Sequence, residues 1–306
     1  MSTRIRGALA PVLTPFKPDL EPDAERFIAH CRWLIGQQVG LALFGTNSEA
    51  ASISVGERLQ LTDALLAAGI PAARMMPGTG ACALPDAVTL TRHAVRSGAA
   101  GCLVLPPFFY KGVSDAGLFS YYAELIERVG DSRLKVYLYH IPQVSGVPIT
   151  LGLIDMLRKR YPDTVVGAKD SSGVWENTQA MLEQHGRDGF DVFPASESTL
   201  SRALPLGAAG CISATVNVNP AAIHAVYQQW SEPQGPALQA RADTIRQIFQ
   251  ALPMIAAMKC AVAEWSGDPR WSTVRPPLVE LDQAQAAQLI AALRAAQFEL
   301  PDYPAR

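Results

Sequence analysis

Hydrophobic residues fall into two alternating kinds of segment along this chain. Short runs rich in Val, Ile, Leu and Ala are separated by longer segments with helical spacing. Most of the short runs are continuously apolar, which is typical of parallel strands covered on both faces. The eight predicted strands span Gly7–Leu13, Val39–Phe44, Arg74–Pro77, Gly101–Leu105, Leu134–Tyr139, Val165–Lys169, Phe190–Phe193 and Gly210–Ala214.

The longer segments carry helix start and stop signals. Ser54 followed by Glu57 has the spacing of a capping box, and Ser114 stands where another N-cap belongs. Glycines at 69, 98 and 130 mark helix ends. The predicted helices include Pro22–Gln38, Val55–Ala68, Leu84–Ser97 and Ser114–Val129.

Repeated strand–helix units predict an α/β fold, a (β/α)₈ TIM barrel with additional C-terminal helices. A doubly wound sheet is the alternative, but it usually has fewer strands and a phosphate-binding loop after the first. We assign residues 1–230 to the catalytic barrel. Residues 231–306 form a predicted helical extension packed on it.

Composition excludes several classes of protein. Of 306 residues, 49% are hydrophobic and 18% charged, which is incompatible with a largely disordered chain. The net charge of −2 offers no basic excess to bind nucleic acid or an anionic membrane. Two uncharged stretches, Val136–Ile154 and Ala203–Ile223, contain prolines and are interpreted as buried strands and loops rather than membrane spans. Five widely spaced cysteines without a CxxC motif favour reduced thiols and a cytoplasmic location.

Lys169 is the most informative of the six lysines. It alone follows a buried apolar run at the end of a predicted strand where barrel active sites lie. The others lie in loops, in a basic cluster, at the start of a strand or, for Lys259, on a helix. Burial disfavours an ammonium, and a neutral amine can attack a carbonyl to form a Schiff base. The alternative is a structural lysine paired with Asp170 or with an acidic residue of a neighbouring strand.

Three further residues converge on the same end of the predicted barrel. Tyr139 ends the preceding strand, and a phenol beside a lysine-derived imine can act as general acid and base. Thr46 and Asn47 follow the second strand in a turn that could offer donors to a small carboxylate. For Tyr139 the alternative is a core tyrosine with a satisfied hydroxyl.

The sequence gives little support for a bound dinucleotide or a metal ion. Gly78-Thr79-Gly80-Ala81-Cys82-Ala83 has the outline of a dinucleotide fingerprint, but no acidic residue follows at the required distance. The five histidines are scattered and lack metal-binding spacing. We therefore expect no metal and no cofactor.

The chain resembles the dihydrodipicolinate synthase / N-acetylneuraminate lyase family over essentially its whole length. The segments that carry the resemblance are Gly7 with Thr14-Pro15-Phe16, Gly45-Thr46-Asn47-Ser48-Glu49, Pro107-Phe108-Phe109, Tyr139-His140-Ile141-Pro142, Gly167-Ala168-Lys169-Asp170, Gly210-Cys211-Ile212-Ser213 and Arg275-Pro276-Pro277-Leu278. The resemblance implies a barrel with C-terminal helices, a homotetramer built as a dimer of dimers, and a lysine imine with pyruvate or another 2-oxo acid.

The resemblance also implies roles for individual residues. Lys169 matches the Schiff-base lysine, and Tyr139 matches the proton-relay tyrosine. Thr46 and Asn47 match the pair that holds the carboxylate of the 2-oxo acid. The remaining substrate-binding positions are Ile212, whose backbone would border pyruvate, Ser196 and Glu197, which would contact the variable part of the substrate, and Phe109.

Two positions depart from the synthases within this family. Phe109 stands where they carry a second tyrosine, one that reaches into a neighbouring subunit, although Tyr110 is next to it. Val144 stands where they carry an arginine for the carboxylate of the aldehyde substrate. Both departures favour the aldolase branch, whose substrates include 4-hydroxy-2-oxoglutarate and 2-keto-3-deoxy sugar acids.

We therefore predict a class I lyase that cleaves a 2-oxo acid to pyruvate and an aldehyde, or forms it from them. Thr46 would support Tyr139 as the proton acceptor. Three alternatives stay open: dihydrodipicolinate synthase itself, a 2-keto-3-deoxy acid dehydratase, and a non-catalytic sensor of 2-oxo acids. The expected partners are small molecules and further copies of the chain, with no nucleic acid or membrane.

Overall fold

The computed structural model describes residues 4–304, and within them the fold is the predicted (β/α)₈ barrel with extra helices after the last strand. Its strands are β1 (Gly7–Ala10), β2 (Gly40–Leu41), β3 (Cys102–Val104), β4 (Val136–His140), β5 (Val165–Asp170), β6 (Asp191–Pro194) and β7 (Gly210–Ile212). Its helices are α1 (Ala24–Gly36), α2 (Val55–Ala67), α3 (Leu84–Arg96), α4 (Asp115–Val129), α5 (Pro142–Ser145), α6 (Leu151–Arg160), α7 (Trp175–His185), α8 (Leu200–Ala203), α9 (Pro220–Gln229), α10 (Gly235–Gln250), α11 (Met254–Ser266) and α12 (Gln283–Ala295).

The predicted third strand, Arg74–Pro77, is wrong as a regular strand. Arg74 ends a short 3₁₀ helix, and the following segment forms only an isolated parallel bridge between Gly78 and Leu103. The segment is nevertheless extended beside β3, since Leu103 N–H donates to Pro77 O and Thr79 N–H to Leu103 O. Pro77 lacks an N–H group, so it cannot complete a regular ladder at this position.

The helix signals of the sequence are confirmed at the residues that carried them. Ser54 Oγ accepts from Glu57 N–H at 3.2 Å, while Glu57 Oε2 accepts from Ser54 N–H at 2.7 Å. Ser114 caps α4 through Gly117 N–H. These caps satisfy amide groups that the first turn of a helix leaves without partners.

The chain divides into two compact units. The first contains the residues up to Gly7 together with Pro71–Ile212, and the second contains Ala8–Ile70 and Ser213–Arg306. The predicted boundary at residue 230 remains a prediction.

The first unit holds a parallel sheet in the order β3-β4-β5-β6. One face of this sheet carries small and branched apolar residues, among them Leu138, Ala168 and Val192, which are in register with one another. They form a buried core with side chains of the surrounding helices, including Leu125 of α4 and Met181 of α7.

In the second unit β1 pairs in parallel with β2, through Leu9 with Gly40 and Ala10 with Leu41. Helices α9 to α12 pack on one another in the same unit. Among residues 4–304 no single helix is long and apolar enough to cross a membrane; α10 and α11 pass such a test only as a pair bent by 107°.

Candidate active site

Lys169 and Tyr139 lie side by side on neighbouring strands of the first unit. The register pairs Tyr139 of β4 with Lys169 of β5, and Lys169 with Phe193 of β6. Successive residues of a strand point to opposite faces, so all three side chains leave the sheet on the face away from the helix-packed core. Lys169 is the penultimate residue of β5, and Tyr139 is the penultimate residue of β4. The strand ends therefore bring together the two residues that the sequence singled out.

A closed layer of side chains lies one pleat below this row. There Tyr137, Gly167 and Asp191 are in register, and a Cβ atom on Gly167 would lie 2.5 Å from the Tyr137 ring. Glycine is required at 167 because the ring occupies that space. Tyr137 Oη donates to Asp191 Oδ2 at 3.2 Å, and Asp191 also pairs with Arg4 and Arg6. Burial raises the pKa of the Tyr137 hydroxyl.

Tyr139 is the hydrogen-bond partner of the Lys169 amine. The amine donates to Tyr139 Oη at 3.2 Å and lies 4.3 Å from the centre of the tyrosine ring. The two residues are only 2% and 4% exposed, respectively. Such a short distance between an amine and a phenol allows a proton to pass between them in the course of a reaction.

The Asp170 carboxylate is held by partners other than Lys169, which argues against the pairing with Asp170 that the sequence left open. The Asp170 carboxylate accepts from Thr178 Oγ1 at 2.5 Å and from Ser172 N–H at 2.9 Å. Both partners belong to the loop and helix that follow β5. Asp170 therefore fixes the chain beyond Lys169, while the amine keeps its contact with a hydroxyl.

His140 lies beside Asp170 on the neighbouring strand. Its Nδ1 accepts from Ile149 N–H at 2.9 Å, so the ring stabilises the segment that follows α5. Burial lowers the pKa of His140, opposed in part by the Asp170 carboxylate. The side chain serves as a neutral acceptor here.

Thr46 and Asn47 lie in a 3₁₀ turn of the second unit that covers Thr46–Ser48. Thr46 is exposed and Asn47 is half-buried. Gly45 N–H donates to Ser48 Oγ at 3.1 Å, and Glu49 N–H donates to Thr46 O at 3.1 Å. Backbone contacts therefore fix the shape of the turn.

The other predicted substrate-binding residues differ in exposure. Ile212 ends β7 and is buried, and Glu197 is fully buried at the start of a 3₁₀ helix. Ser196 is half-buried, and its Oγ accepts from Ser198 N–H at 3.2 Å. The buried position of Glu197 limits its carboxylate to interactions inside the protein or with a molecule that enters it.

Phe109 and its neighbour Tyr110 are far more exposed than is usual for aromatic residues. They are 74% and 71% exposed, and their rings contact edge to face with centres 5.5 Å apart. Val144 on α5 is 62% exposed. Lys111 connects the two segments, since its Nζ donates to Ser145 O at 2.5 Å and also to Phe108 O.

A buried ion pair in the second unit was missed by the sequence reasoning. Lys259 Nζ donates to Glu49 Oε1 and, at 2.8 Å, to Thr273 O, and both charged side chains are wholly buried. Burial lowers the pKa of Lys259 to about 8, opposed by the Glu49 carboxylate. The only local signal was a lysine inside the apolar run Met254-Ile-Ala-Ala-Met-Lys-Cys-Ala-Val-Ala.

Among residues 4–304 no cluster of three or more His, Cys, Asp or Glu side chains is arranged to hold a metal ion. The reactive groups described above are an amine, a phenol, hydroxyls and amides. They suit covalent and acid–base chemistry on a carbonyl compound.

A family profile and a curated relative both relate this chain to the same family of lyases. A sequence profile of the Dihydrodipicolinate synthetase family matches residues 4–296. The chain is 35% identical over 290 residues to an uncharacterized DapA-like lyase of Chloroflexus aurantiacus, covering 94% of this chain and 95% of the relative.

Solved structures agree with the fold. Dihydrodipicolinate synthase from Agrobacterium tumefaciens superimposes with a TM-score of 0.88 at 30% identity, covering 95% of this chain and 99% of that one. YagE, a prophage protein of the dihydrodipicolinic acid synthase family from E. coli K12 solved in complex with pyruvate, gives a TM-score of 0.86 at 26% identity, covering 96% and 99%.

The barrel, with a buried lysine–tyrosine pair at the ends of its strands, defines a class I, Schiff-base-forming carbon–carbon lyase. The chain belongs to the Dihydrodipicolinate synthetase family. The family, the fold and the class of enzyme predicted from the sequence are thereby confirmed.

Proposed function

We propose that this enzyme is an aldolase that cleaves a 4-hydroxy-2-oxo acid to pyruvate and an aldehyde, and forms it in reverse. The observation that carries the proposal is the contact of 3.2 Å between Lys169 Nζ and Tyr139 Oη, with Asp170 occupied by other partners. The amine needs a carbonyl substrate to become an electron sink, and the hydroxyl is placed to move the protons.

In the first stage Lys169 adds to the C2 carbonyl of the substrate. Tyr139 donates its proton to the C2 oxygen, water leaves, and a protonated imine remains beside a tyrosine phenolate. The phenolate then removes the proton of the C4 hydroxyl. The C3–C4 bond breaks, the aldehyde departs, and the imine accepts the electron pair as an enamine.

In the second stage Tyr139 returns the proton to C3 of the enamine, which restores the imine. Water adds to C2 with the phenolate as base, the C–N bond breaks, and pyruvate leaves. The lysine and the tyrosine are then in their starting forms. The cycle consumes and returns one water molecule.

We assign the remaining residues by their place after barrel strands, where active-site loops lie. Thr46 and Asn47 hold the substrate carboxylate, and the Thr46 hydroxyl supports Tyr139. The backbone of Ile212 borders the pyruvyl part. Ser196, Glu197 and Phe109 contact the part of the substrate that becomes the aldehyde.

Val144 supports an aldolase over a synthase. Its side chain is apolar and largely exposed, so it supplies no charge to a second carboxylate. The same argument applies to Phe109, which has no hydroxyl with which to extend the proton relay. We therefore place the substrate among 4-hydroxy-2-oxoglutarate and the 2-keto-3-deoxy sugar acids.

The same proposal includes a homotetramer, a dimer of dimers, in a cytoplasmic setting. The exposed pair Phe109 and Tyr110 supports association, because large aromatic residues rarely remain in water without a function. Five free cysteines support a reducing compartment. Sedimentation velocity of the purified protein, with a Phe109→Ser variant for comparison, tests the assembly.

Borohydride trapping tests the central chemistry. The enzyme is incubated with pyruvate, reduced with borohydride, digested and analysed by mass spectrometry. We expect a reduced pyruvyl adduct on the peptide that contains Lys169. The adduct should be absent from Lys169→Ala and present in Lys159→Ala, a control at an exposed lysine. An adduct on any other lysine, or none in folded enzyme with pyruvate bound, contradicts the proposal.

The acceptor is identified by product analysis. Each candidate acid is supplied to the enzyme, and released pyruvate and aldehyde are measured together. Equal amounts of the two support the aldolase. A product that keeps every carbon of the substrate indicates a dehydratase, and condensation of pyruvate with aspartate semialdehyde indicates the synthase.

A further inference from the structure

The wholly buried ion pair of the second unit lies next to the turn that carries Thr46 and Asn47. Glu49 follows this turn directly, and Lys259 reaches it from α11, far away in sequence. The lysine amine also lies 4.5 Å from the centre of the Phe16 ring. Phe16, Glu49 and Lys259 are all buried, so the pair has no access to water.

Both oxygens of the Glu49 carboxylate have defined partners. Oε1 accepts from Lys259 Nζ, and Oε2 accepts from Arg275 N–H at 2.9 Å. Lys259 further donates to Thr273 O at 2.8 Å. One carboxylate thus joins the turn after β2, helix α11 and the segment Thr273–Arg275.

The backbone of Glu49 closes the turn. Its N–H donates to Thr46 O at 3.1 Å, and its φ of 57° lies in the left-handed region. A residue other than glycine keeps that conformation only when its surroundings hold it there. The side-chain contacts of Glu49 supply this restraint, while Thr14 Oγ1 donates to Ser48 O at 2.8 Å on the other side.

Stability alone gives little reason for such a pair. Removing two charges from water is costly, and apolar residues of similar volume often replace a buried ion pair without loss of stability. A buried pair does, however, define where its two partners lie, because neither can move without leaving the other charge unpaired. The segment it holds here is the one assigned to the substrate carboxylate.

We propose that Lys259 is a positioning residue, which through Glu49 holds Thr46 and Asn47 in the geometry that binds the carboxylate of the 2-oxo acid. The inference rests on the proposed function of Thr46 and Asn47. Lys259 touches no reacting atom. Its effect is on binding of the 2-oxo acid, and the chemical step at Lys169 is unaffected once the site is filled.

The test is steady-state kinetics of Lys259→Met, which keeps the length of the side chain and removes its charge. We expect KM for the 2-oxo acid to rise by about tenfold, which corresponds to the loss of about 1.4 kcal/mol of binding. The kcat at saturation should change by less than about twofold. Borohydride trapping at limiting pyruvate should slow in parallel, and at saturating pyruvate it should go to completion.

Arg26→Met is the matched control in the same unit. Arg26 is another buried cation, and its described partners, Asp268 through Nε at 2.7 Å and Asp23, lie outside the turn. It should lose stability and keep the wild-type KM. If both variants shift KM equally, the effect is general loosening, and the positioning role of Lys259 is refuted.

A double variant separates positioning from folding. Lys259→Met with Glu49→Leu removes both charges and should recover stability while KM remains high. Recovery of KM together with stability contradicts the proposal. If Lys259→Met alone fails to fold, this double variant replaces it, because it leaves neither charge buried without its partner. An unchanged KM in that folded variant contradicts the role.

Failure of the proposed function gives a different result. In that case wild-type enzyme forms no pyruvyl adduct at Lys169, whatever the residue at 259. An adduct in the wild type with unchanged KM in the folded variants refutes only the positioning role.

Discussion

Among residues 4–304 two lysines are buried, Lys169 and Lys259, and they differ in the group that accepts a hydrogen bond from the amine. Lys169 lies 4.3 Å from the centre of the Tyr139 ring and donates to its hydroxyl, while Lys259 lies 4.5 Å from the centre of the Phe16 ring and donates to a carboxylate. Both amines are thus removed from water above an aromatic ring. In the described part of the chain, the partner of Lys169 is a hydroxyl and the partner of Lys259 is a carboxylate.

The difference separates a reactive amine from a structural one. Lys259 Nζ is occupied by the Glu49 carboxylate and the Thr273 carbonyl, which fix its position in a part of the protein without access to water. A hydroxyl can give or take a proton and leaves the amine able to react. The nearby Asp170 carboxylate accepts hydrogen bonds from Thr178 and Ser172, and Lys169 is therefore left with the Tyr139 hydroxyl as its partner.

The largest effect is expected from removing the reactive amine. Lys169→Ala should lower turnover on the order of 10⁴-fold or more, as in enzymes that lose their nucleophile. Lys259→Met should still form the borohydride-reduced adduct. Initial rates of pyruvate release, with mass spectrometry of both proteins, provide the measurement. Normal turnover by Lys169→Ala would show that Lys169 is not the reactive amine.

The hydroxyl beside Lys169 is tested next. Tyr139→Phe should lower kcat by about 10²- to 10⁴-fold, the usual contribution of general acid–base catalysis. Tyr137→Phe is the control, because Tyr137 lies one layer below and donates to Asp191. Its kcat should stay close to that of the wild type. Similar losses in the two variants would show that the relay is not at Tyr139.

Unfolding measurements compare the two lysines directly. Lys259→Met leaves Glu49 as a buried charge and should lower the free energy of unfolding by about 3–5 kcal/mol. Lys169→Met leaves no carboxylate behind and should cost less than about 1 kcal/mol. Urea denaturation at neutral pH measures both. Equal costs would mean that the carboxylate does not distinguish the two sites.

The smallest effect concerns pH. The pKa of Lys259 is lowered from 10.5 to about 8, so above pH 8 the folded state loses a proton that the unfolded state keeps until its higher pKa. Stability contributed by this group therefore rises with pH across that window. Between about pH 7.5 and 9.5 the wild type should gain roughly 2 kcal/mol relative to Lys259→Met. Urea midpoints of both proteins at the two pH values test this; a flat difference argues against the lowered pKa.

Sequence reasoning predicted the reactive pair because strand ends are a local pattern. A continuous apolar run ending in Lys169, and another ending in Tyr139, suffices once the strands are parallel neighbours. The strand predicted at Arg74–Pro77 is irregular because Pro77 and the 3₁₀ helix before it interrupt the ladder. The hydrophobic pattern that predicted this strand does not show that Pro77 lacks the N–H group that a regular strand needs.

The partner of Lys259 could not be predicted in this way. Glu49 is 210 residues away, and nothing near either residue specifies the other. Pairings of this kind depend on how distant segments pack, which a single sequence does not encode in any local pattern.

Helix α5 has a consequence for how such enzymes diversify. Gly146 N–H donates to Pro142 O at 2.8 Å, and Lys111 Nζ donates to Ser145 O. The Gln143 side chain donates through Nε2 to Ser171 O, whereas the Val144 side chain is 62% exposed. Exchange of an exposed side chain away from such contacts usually changes stability by no more than about 0.5 kcal/mol. Position 144 can therefore change its charge or size in a single mutational step without endangering folding. Under the proposed function, such a step changes the choice of substrate while the lysine and tyrosine stay in place.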